Sequence, residues 1–305
     1  KKCFSYLRSN GFDDIWVTID GPRRNNMNDL TNNNRIIEYC EKEKISKNKL
    51  NISTFNQGCR KAVFNGISWF FENNESGIII EDDVEIEKGY LNFMSLLLDR
   101  HKNDKNIFSI SSYVEESNFI KERYKLSKDI FLLSPVCRVW GWATWKNNWE
   151  LHKKIIYRFS SSNPFKCFFL LPLKFRTASN AMLLSSCKKG KIDTWDYEYN
   201  FSHIITNKLS LTPSHNYTIN RGFDKNATHT KNTSKVILEV VKNYNKFDLA
   251  RKISYKNTSY YQDLNLLIIK NCGFSMSSFS SVELLKLTLK IIFDYLNIFL
   301  GSGKY

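Results

Sequence analysis

No Cys-x-x-Cys pair occurs in the 305 residues, and the seven cysteines, Cys3, Cys40, Cys59, Cys137, Cys167, Cys187 and Cys272, are odd in number and widely spaced. That pattern excludes zinc-finger spacing and fits free thiols in a reducing compartment. A glycine-aromatic RNA-binding signature and a long basic arm are also missing. The net charge of +15, from 45 basic and 30 acidic residues, is spread along a Lys- and Asn-rich chain, so no nucleic-acid partner is expected. Anionic membranes and phosphorylated substrates account for that charge equally well. The Gly-x-Ser-x-Gly elbow of Ser-His-Asp hydrolases is absent, and so is the glycine-rich N-terminal phosphate loop of a nucleotidyltransferase. The apolar run Phe165 to Phe175 is eleven residues, is broken by Lys166, Pro172 and Lys174, and is too short to span a bilayer. The first apolar stretch is short and interrupted by Arg8 and Asp13, which reads against a secretory signal and for a cytoplasmic setting. Asn-x-Ser/Thr triplets at Asn51, Asn226 and Asn257 are what an Asn-rich chain produces by chance.

What is present is an ordinary globular composition, 42% hydrophobic, in a chain long enough to bury a full core. The first third alternates strand and helix patterns, as an α/β sheet does. Ile15 to Ile19 reads as a strand ending at the turn Asp20-Gly21-Pro22-Arg23, and Asn32 to Lys44 as a helix. Leu50 to Thr54 reads as a second strand, Lys61 to Phe71 as a helix, and 77 to 80 as a third strand. A helix over 88 to 100, a strand over Ile107 to Ser111 and helical structure across 151 to 190 follow. Residues 1–230 form one expected domain; 231–305 form a basic, partly helical extension. Its last segment, Val282 to Leu300, reads as a strongly apolar helix with Lys286, Lys290 and Asp294 on one face. Such a helix suits either a membrane interface or a protein core.

The chemistry concentrates where Gly77-Ile78-Ile79-Ile80 runs into Glu81-Asp82-Asp83. Adjacent carboxylates at the end of an apolar strand repel one another, and a divalent metal relieves that repulsion. Mn²⁺ or Mg²⁺ held by one or two carboxylates plus substrate phosphates suits a nucleoside diphosphate. Asp83 is the expected metal ligand, and Asp82 a candidate for a ribose hydroxyl. Carboxyl ends of strands line the ligand crevice of open α/β sheets, so Asp20, Asn56 and Asp83 are expected to converge there. Asn56-Gln57-Gly58 ahead of a helix resembles a phosphate-binding turn, with Arg60 or Lys61 adding charge. Four tryptophans between Trp140 and Trp149 serve either core packing or stacking on a sugar. Trp195-Asp196 sets a carboxylate beside a large ring, an environment that raises a pKa and makes a usable general base. His229 is either structural or a ligand for metal or phosphate.

Taken in order, Ile19-Asp20-Gly21-Pro22-Arg23, Asn56-Gln57-Gly58-Cys59, Gly77 to Asp83, Trp140-Gly141-Trp142-Ala143-Thr144-Trp145, Trp195-Asp196-Tyr197 and Ala227-Thr228-His229-Thr230 resemble a family of bacterial GT-A-fold glycosyltransferases found with surface-polysaccharide genes. The resemblance covers roughly residues 5 to 230. More distantly, the Glu-Asp-Asp and Trp-Asp motifs are similar to those of inverting N-acetylglucosaminyltransferases. The resemblance implies a GT-A, Rossmann-like nucleotide-sugar transferase fold with a helical C-terminal extension. The implied enzyme is a metal-dependent hexosyl- or N-acetylhexosaminyltransferase that uses a nucleotide-sugar donor and an oligosaccharide or lipid-linked acceptor. It would sit in the cytoplasm, with peripheral contact at the inner face of the membrane. By the same resemblance, Asp83 binds Mn²⁺ or Mg²⁺, Asp82 approaches the ribose, and Asp20 approaches the nucleobase. Asp196 deprotonates the acceptor, Trp142 and its neighbours shape the sugar pocket, and His229 closes over the metal. The family has an apolar first strand ahead of the helix that here follows Lys1. Its absence from this sequence implies either a fragment or an incomplete nucleotide site, which would leave a carbohydrate-binding or assembly protein on the same scaffold.

Overall fold

The structure, a computed structural model, describes residues 2–9, 11–87, 89–114, 130–158, 163–173, 176, 178–191, 194–213, 216–221 and 254–256. Helix α1 (Lys2–Ser9) precedes β1 (Val17–Ile19), α2 (Met27–Lys42), β2 (Leu50–Ile52) and α3 (Cys59–Asn73). The chain continues through β3 (Ser76–Ile79), β4 (Val84–Ile86), α4 (Tyr90–His101), β5 (Ile107–Ser111), β6 (Ile130–Ser134) and β7 (Trp142–Trp145). Four helices follow, α5 (Lys146–Arg158), α6 (Pro164–Leu170), α7 (Ala178–Lys188) and α8 (Asp196–Thr206), then β8 (Leu209–Pro213), β9 (Thr218–Asn220) and β10 (Ser254–Lys256). Most of the basic C-terminal extension, the expected Val282 to Leu300 helix and His229 lie outside the described residues.

The expected elements form, with shifted ends. Helix α2 begins at Met27, five residues before the hydrophobic period suggests, because the Asn26 side chain accepts the Asp29 N–H at 3.1 Å and caps it. The helical stretch from 151 breaks into α5, α6 and α7, with Pro164 in the first turn of α6, where its missing N–H costs nothing.

The central sheet is mixed, in the order β10-β6-β8-β5-β7-β3. β5 and β8 are parallel, as are β6 and β10; β7 runs antiparallel to both β5 and β3. This is an α/β architecture compatible with a Rossmann-like arrangement. Alternation along β7 sends side chains to opposite faces. Ala143 and Trp145 join Tyr90, Phe93, Met94 and Leu97 of α4 in one core, while Trp142 joins Phe71, Phe108, Trp149, Trp195 and Tyr199 in the other.

β1 and β2 form a separate parallel pair with a small core of Ile19, Cys40 and Ile45. Among the described residues no ladder joins this pair to β3, the edge of the main sheet. Helix α3 packs against both. Gly66 lets the helix approach β1, since a Cβ there would lie 2.6 Å from the Thr18 methyl; further along, the Phe70 ring lies 5.8 Å from Trp16 and covers Gly77 of β3. Three consecutive isoleucines would be fully covered in the middle of a sheet, yet Ile78, Ile79 and Ile80 are only half-buried at this edge.

Candidate active site

Two polar groups assemble at the carboxyl ends of these strands. The first surrounds Asp20, which follows β1. Its carboxylate accepts the N–H of Gly21 at 2.8 Å, the N–H of Gln57 at 2.9 Å and the side-chain amide of Asn56 at 2.9 Å. Gln57 in turn donates to the Ser53 hydroxyl at 2.6 Å and accepts from the Asn65 amide at 2.6 Å. Gly21 is required because a Cβ there would meet the Phe55 backbone, with its carbonyl oxygen at 2.5 Å. Asp20 and Asn56 therefore come together as expected, with the Asp20 carboxylate holding the turn that leads into α3. Gly58, at φ +79°, precedes that helix without a side-chain cap, so the first N–H groups of α3 keep their capacity to meet an anion.

Arg60 does not stand ready for phosphate. Its guanidinium makes a two-pronged ion pair with Glu198 of α8, both contacts at 2.8 Å, and Lys188 of α7 reaches the same carboxylate at 3.1 Å. Glu198 and Lys188 are buried, with side chains 5% and 6% exposed.

The second group is the acidic one. β3 runs on through Ile80 to Glu81, and the chain turns at Asp82 and Asp83 before β4. The turn is closed by the Val84 N–H bonding to the Glu81 carbonyl at 3.2 Å, and the Arg221 N–H fixes the Asp83 carbonyl at 2.8 Å. Asp82 is exposed, whereas Asp83 is half-buried and its Oδ1 is sealed from solvent without a hydrogen-bond partner. Burial, then the Asp82 charge, raises the Asp83 pKa. Glu81 is pushed up to about 8, first by burial and then by the charges of Asp83, Asp196 and Asp82. That response places Asp196 in the same electrostatic neighbourhood, although it lies more than a hundred residues along the chain. Asp196 opens α8; the Thr194 hydroxyl bonds its Oδ1. Burial raises the Asp196 pKa, and the Thr194 hydroxyl, the Tyr197 N–H and the Arg138 charge partly offset it.

The chain matches no protein-family model and no curated protein. Function must therefore be argued from this geometry.

Trp142 has no exposed surface; its ring lies 5.4 Å from Trp195 and 4.5 Å from Tyr199. Of the two roles open to the tryptophans, the structure gives Trp142 and Trp149 the packing one, and only Trp140 in that run is half-buried. Indirectly these rings still serve the cleft, because they seat Trp195 and so the start of α8. Sequence reasoning missed Thr194 and Arg138; the aromatic neighbours of Glu198 argue against its full exposure, but its ion pairs were not foreseen. The threonine stands two residues before Asp196, a spacing at which a hydroxyl reaches the carboxylate; nothing local marks Arg138 or the distant pairing of Glu198 with Arg60.

Among the described residues no group of three or more His, Cys, Asp or Glu side chains is arranged to hold a metal ion by itself. The acidic turn at Glu81–Asp83 nevertheless suits a hard cation that draws its remaining oxygens from a diphosphate and water. The buried Oδ1 of Asp83 has no hydrogen-bond partner, and the carboxyl groups of Glu81, Asp82 and Asp196 share one electrostatic neighbourhood around it.

Proposed function

We propose that this protein is a glycosyltransferase of GT-A type, which moves a sugar from a nucleotide-sugar donor to a hydroxyl of an oligosaccharide or lipid-linked saccharide with inversion at the anomeric carbon. The observation that carries the reading is the unpartnered, buried Oδ1 of Asp83 in an acidic turn whose Glu81 also feels the Asp196 charge. A buried carboxylate oxygen left without a hydrogen bond beside other acids destabilises a fold, and such arrangements concentrate at sites that bind a compensating cation.

In this reading Asp83 would hold Mn²⁺ or Mg²⁺, and the exposed Asp82 would approach the ribose of the donor. When bound, such a cation would supply charge that offsets the negative charge of a leaving diphosphate. The open N-terminus of α3 faces the same class of anion with its N–H groups. Asp196 takes the proton of the acceptor hydroxyl as oxygen attacks the anomeric carbon and the bond to the diphosphate breaks. Burial shifts its pKa upward, the direction a general base needs, and the Thr194 hydroxyl bonds its carboxylate. The Arg138 charge partly offsets the rise that burial causes.

The test is calorimetric titration of uridine and guanosine diphosphates with and without Mn²⁺. The parent chain is expected to bind one of them only with metal; Asp83→Ala loses that binding, whereas Asp196→Asn keeps it and loses transfer by about 10²–10⁴-fold. The gap in pairing between β1 and β3 favours a second reading, a saccharide-binding protein whose nucleotide half is incomplete. Failure of a folded chain to bind either diphosphate would select it.

A further inference from the structure

Three charged side chains meet where the ends of α3, α7 and α8 come together. Glu198, in the first turn of α8, receives both prongs of the Arg60 guanidinium at 2.8 Å and the Lys188 ammonium at 3.1 Å. Arg60 is the second residue of α3. Lys188 is the last residue of α7, from where it also donates to the Ile156 carbonyl of α5 at 3.0 Å. A buried ion network adds little stability over apolar packing, because desolvation offsets the attraction; the best-attested use of such groups is to fix one register.

The two cations differ in what they add. The Lys188 side chain, 6% exposed, is a point charge that by itself balances Glu198. Arg60, 31% exposed, is not needed for neutrality, and its planar fork adds direction: two parallel bonds fix the angle between α3 and α8 as well as their separation. The main backbone neighbours of α3 are β3 and α5, and those of α8 are α5 and α7, so the fork is a direct link between helices that otherwise rest on other elements. What it joins are two ends that carry chemistry. Two residues ahead of Arg60 stands Gly58, the uncapped start of α3 beside the Asp20 turn, and two residues ahead of Glu198 stands Asp196. Cys187, buried on α7, has its pKa pushed up to about 12, first by burial and then by Glu198 and Asp196, while Arg60 and Lys188 lower it; all four charges therefore surround one thiol.

We propose that Arg60 is a positioning residue: through Glu198 it sets the start of α8, and with it the Asp196 carboxylate, at a fixed place relative to the start of α3. The inference rests on the transferase reading, in which the start of α3 faces the donor diphosphate and Asp196 takes the acceptor proton. Arg60 touches neither substrate in this role. A displacement of about 1 Å between a base and the bond it serves is enough to slow a reaction severely, which is why a rigid fork at this junction has a use that a second point charge does not. Because Lys188 stays with Glu198 when Arg60 is altered, removing the fork leaves no buried carboxylate without a counter-ion.

The test compares the full parent chain with Arg60→Lys, which keeps the charge and loses the fork, and with Arg60→Gln, which loses both. Calorimetry gives the Mn²⁺-dependent affinity for uridine and guanosine diphosphates, and diphosphate release from uridine- and guanosine-diphosphate sugars gives kcat and KM. Amide exchange at Tyr199, whose N–H bonds the Trp195 carbonyl at 3.1 Å across the first turn of α8, gives the hold on that turn. Both variants are expected to keep the parent's affinity and KM within about twofold while kcat falls by roughly ten- to a hundredfold, and to exchange the Tyr199 amide faster. Lysine does not restore the rate, because a point charge does not reproduce two parallel bonds. An Arg60→Lys chain with the parent's kcat, or variants with unchanged exchange at Tyr199, overturn the proposal. So does an affinity that falls in step with kcat, which would make Arg60 a ligand of the anion. Failure of the parent itself to bind either diphosphate defeats the transferase reading, and the inference with it.

Discussion

Asp83 and Glu198 are both acids removed from water, and the difference between them separates a site from a scaffold. Glu198 is fully matched by Arg60 and Lys188, whereas Asp83 has an oxygen with no partner. Replacing Glu198 with Ala strands the buried Lys188 ammonium and is expected to cost about 3–5 kcal/mol in urea unfolding. Asp83→Asn in metal-free protein is expected to do the reverse. The folded pKa of Asp83 is raised, so ionisation at neutral pH works against the fold, and removing the charge should stabilise by roughly 0.5–2 kcal/mol while abolishing metal-dependent nucleotide binding. Loss of stability in Asp83→Asn would mean that the carboxylate serves the fold. Gly21→Ala, which drives a methyl into the Phe55 backbone, should cost about 1–3 kcal/mol by the same assay. The motifs at Asp20, Asp83 and Asp196 could be read directly from the chain, because a carboxylate after an apolar run is a local pattern. Of the partners that tune them, Thr194 stands at a legible spacing from Asp196, whereas Arg138 could not be read because it acts through geometry.

Among the elements, α8 carries the greatest number of commitments. Asp196 opens it, Glu198 anchors its first turn, and His203 closes a hydrogen bond to Ser109 of β5 at 2.7 Å while His152 of α5 meets Ser202 at 2.8 Å. Both imidazoles are buried and their pKa values are pushed down to about 3, chiefly by burial. The unfolded chain takes up protons on these groups near pH 6.5, but the folded chain does so only near pH 3. Their contribution to stability is therefore complete above pH 6.5 and falls as pH drops toward 3. The expected slope is about 1.4 kcal/mol per pH unit for each histidine, measured by chemical unfolding across that range in wild type and in His203→Gln, which should lose part of the slope. Periodicity revealed that α2, α3 and α4 exist, but their ends were set by caps such as Asn26, which a hydrophobic pattern does not register.

At the scale of the molecule the sheet is divided. The β1–β2 pair has its own small core, and no ladder among the described residues continues it into β3. Local opening should follow that division. Amide hydrogen exchange is expected to be faster at Val17–Ile19 and Leu50–Ile52 than in β5 and β8, whose neighbours pair on both sides. Equal protection across all four strands would show that the two sheets unfold as one. The division also bears on function, since it separates the Asp20 turn from the acidic cleft in the backbone ladder and leaves α3 as the element that packs on both.

The sequence by itself determined the α/β alternation, the apolar run that becomes β3 and the placement of carboxylates at strand ends, because period-two and period-3.6 patterns and adjacent charges are local properties of a chain. Only the tertiary structure decided that Asp196 shares an electrostatic field with Glu81, that Arg60 is spent on Glu198, and that Trp142 belongs to the core. Those outcomes depend on which distant surfaces meet and what each side chain finds there. Burial and pairing are properties of the packed molecule, and no spacing along the chain encodes them.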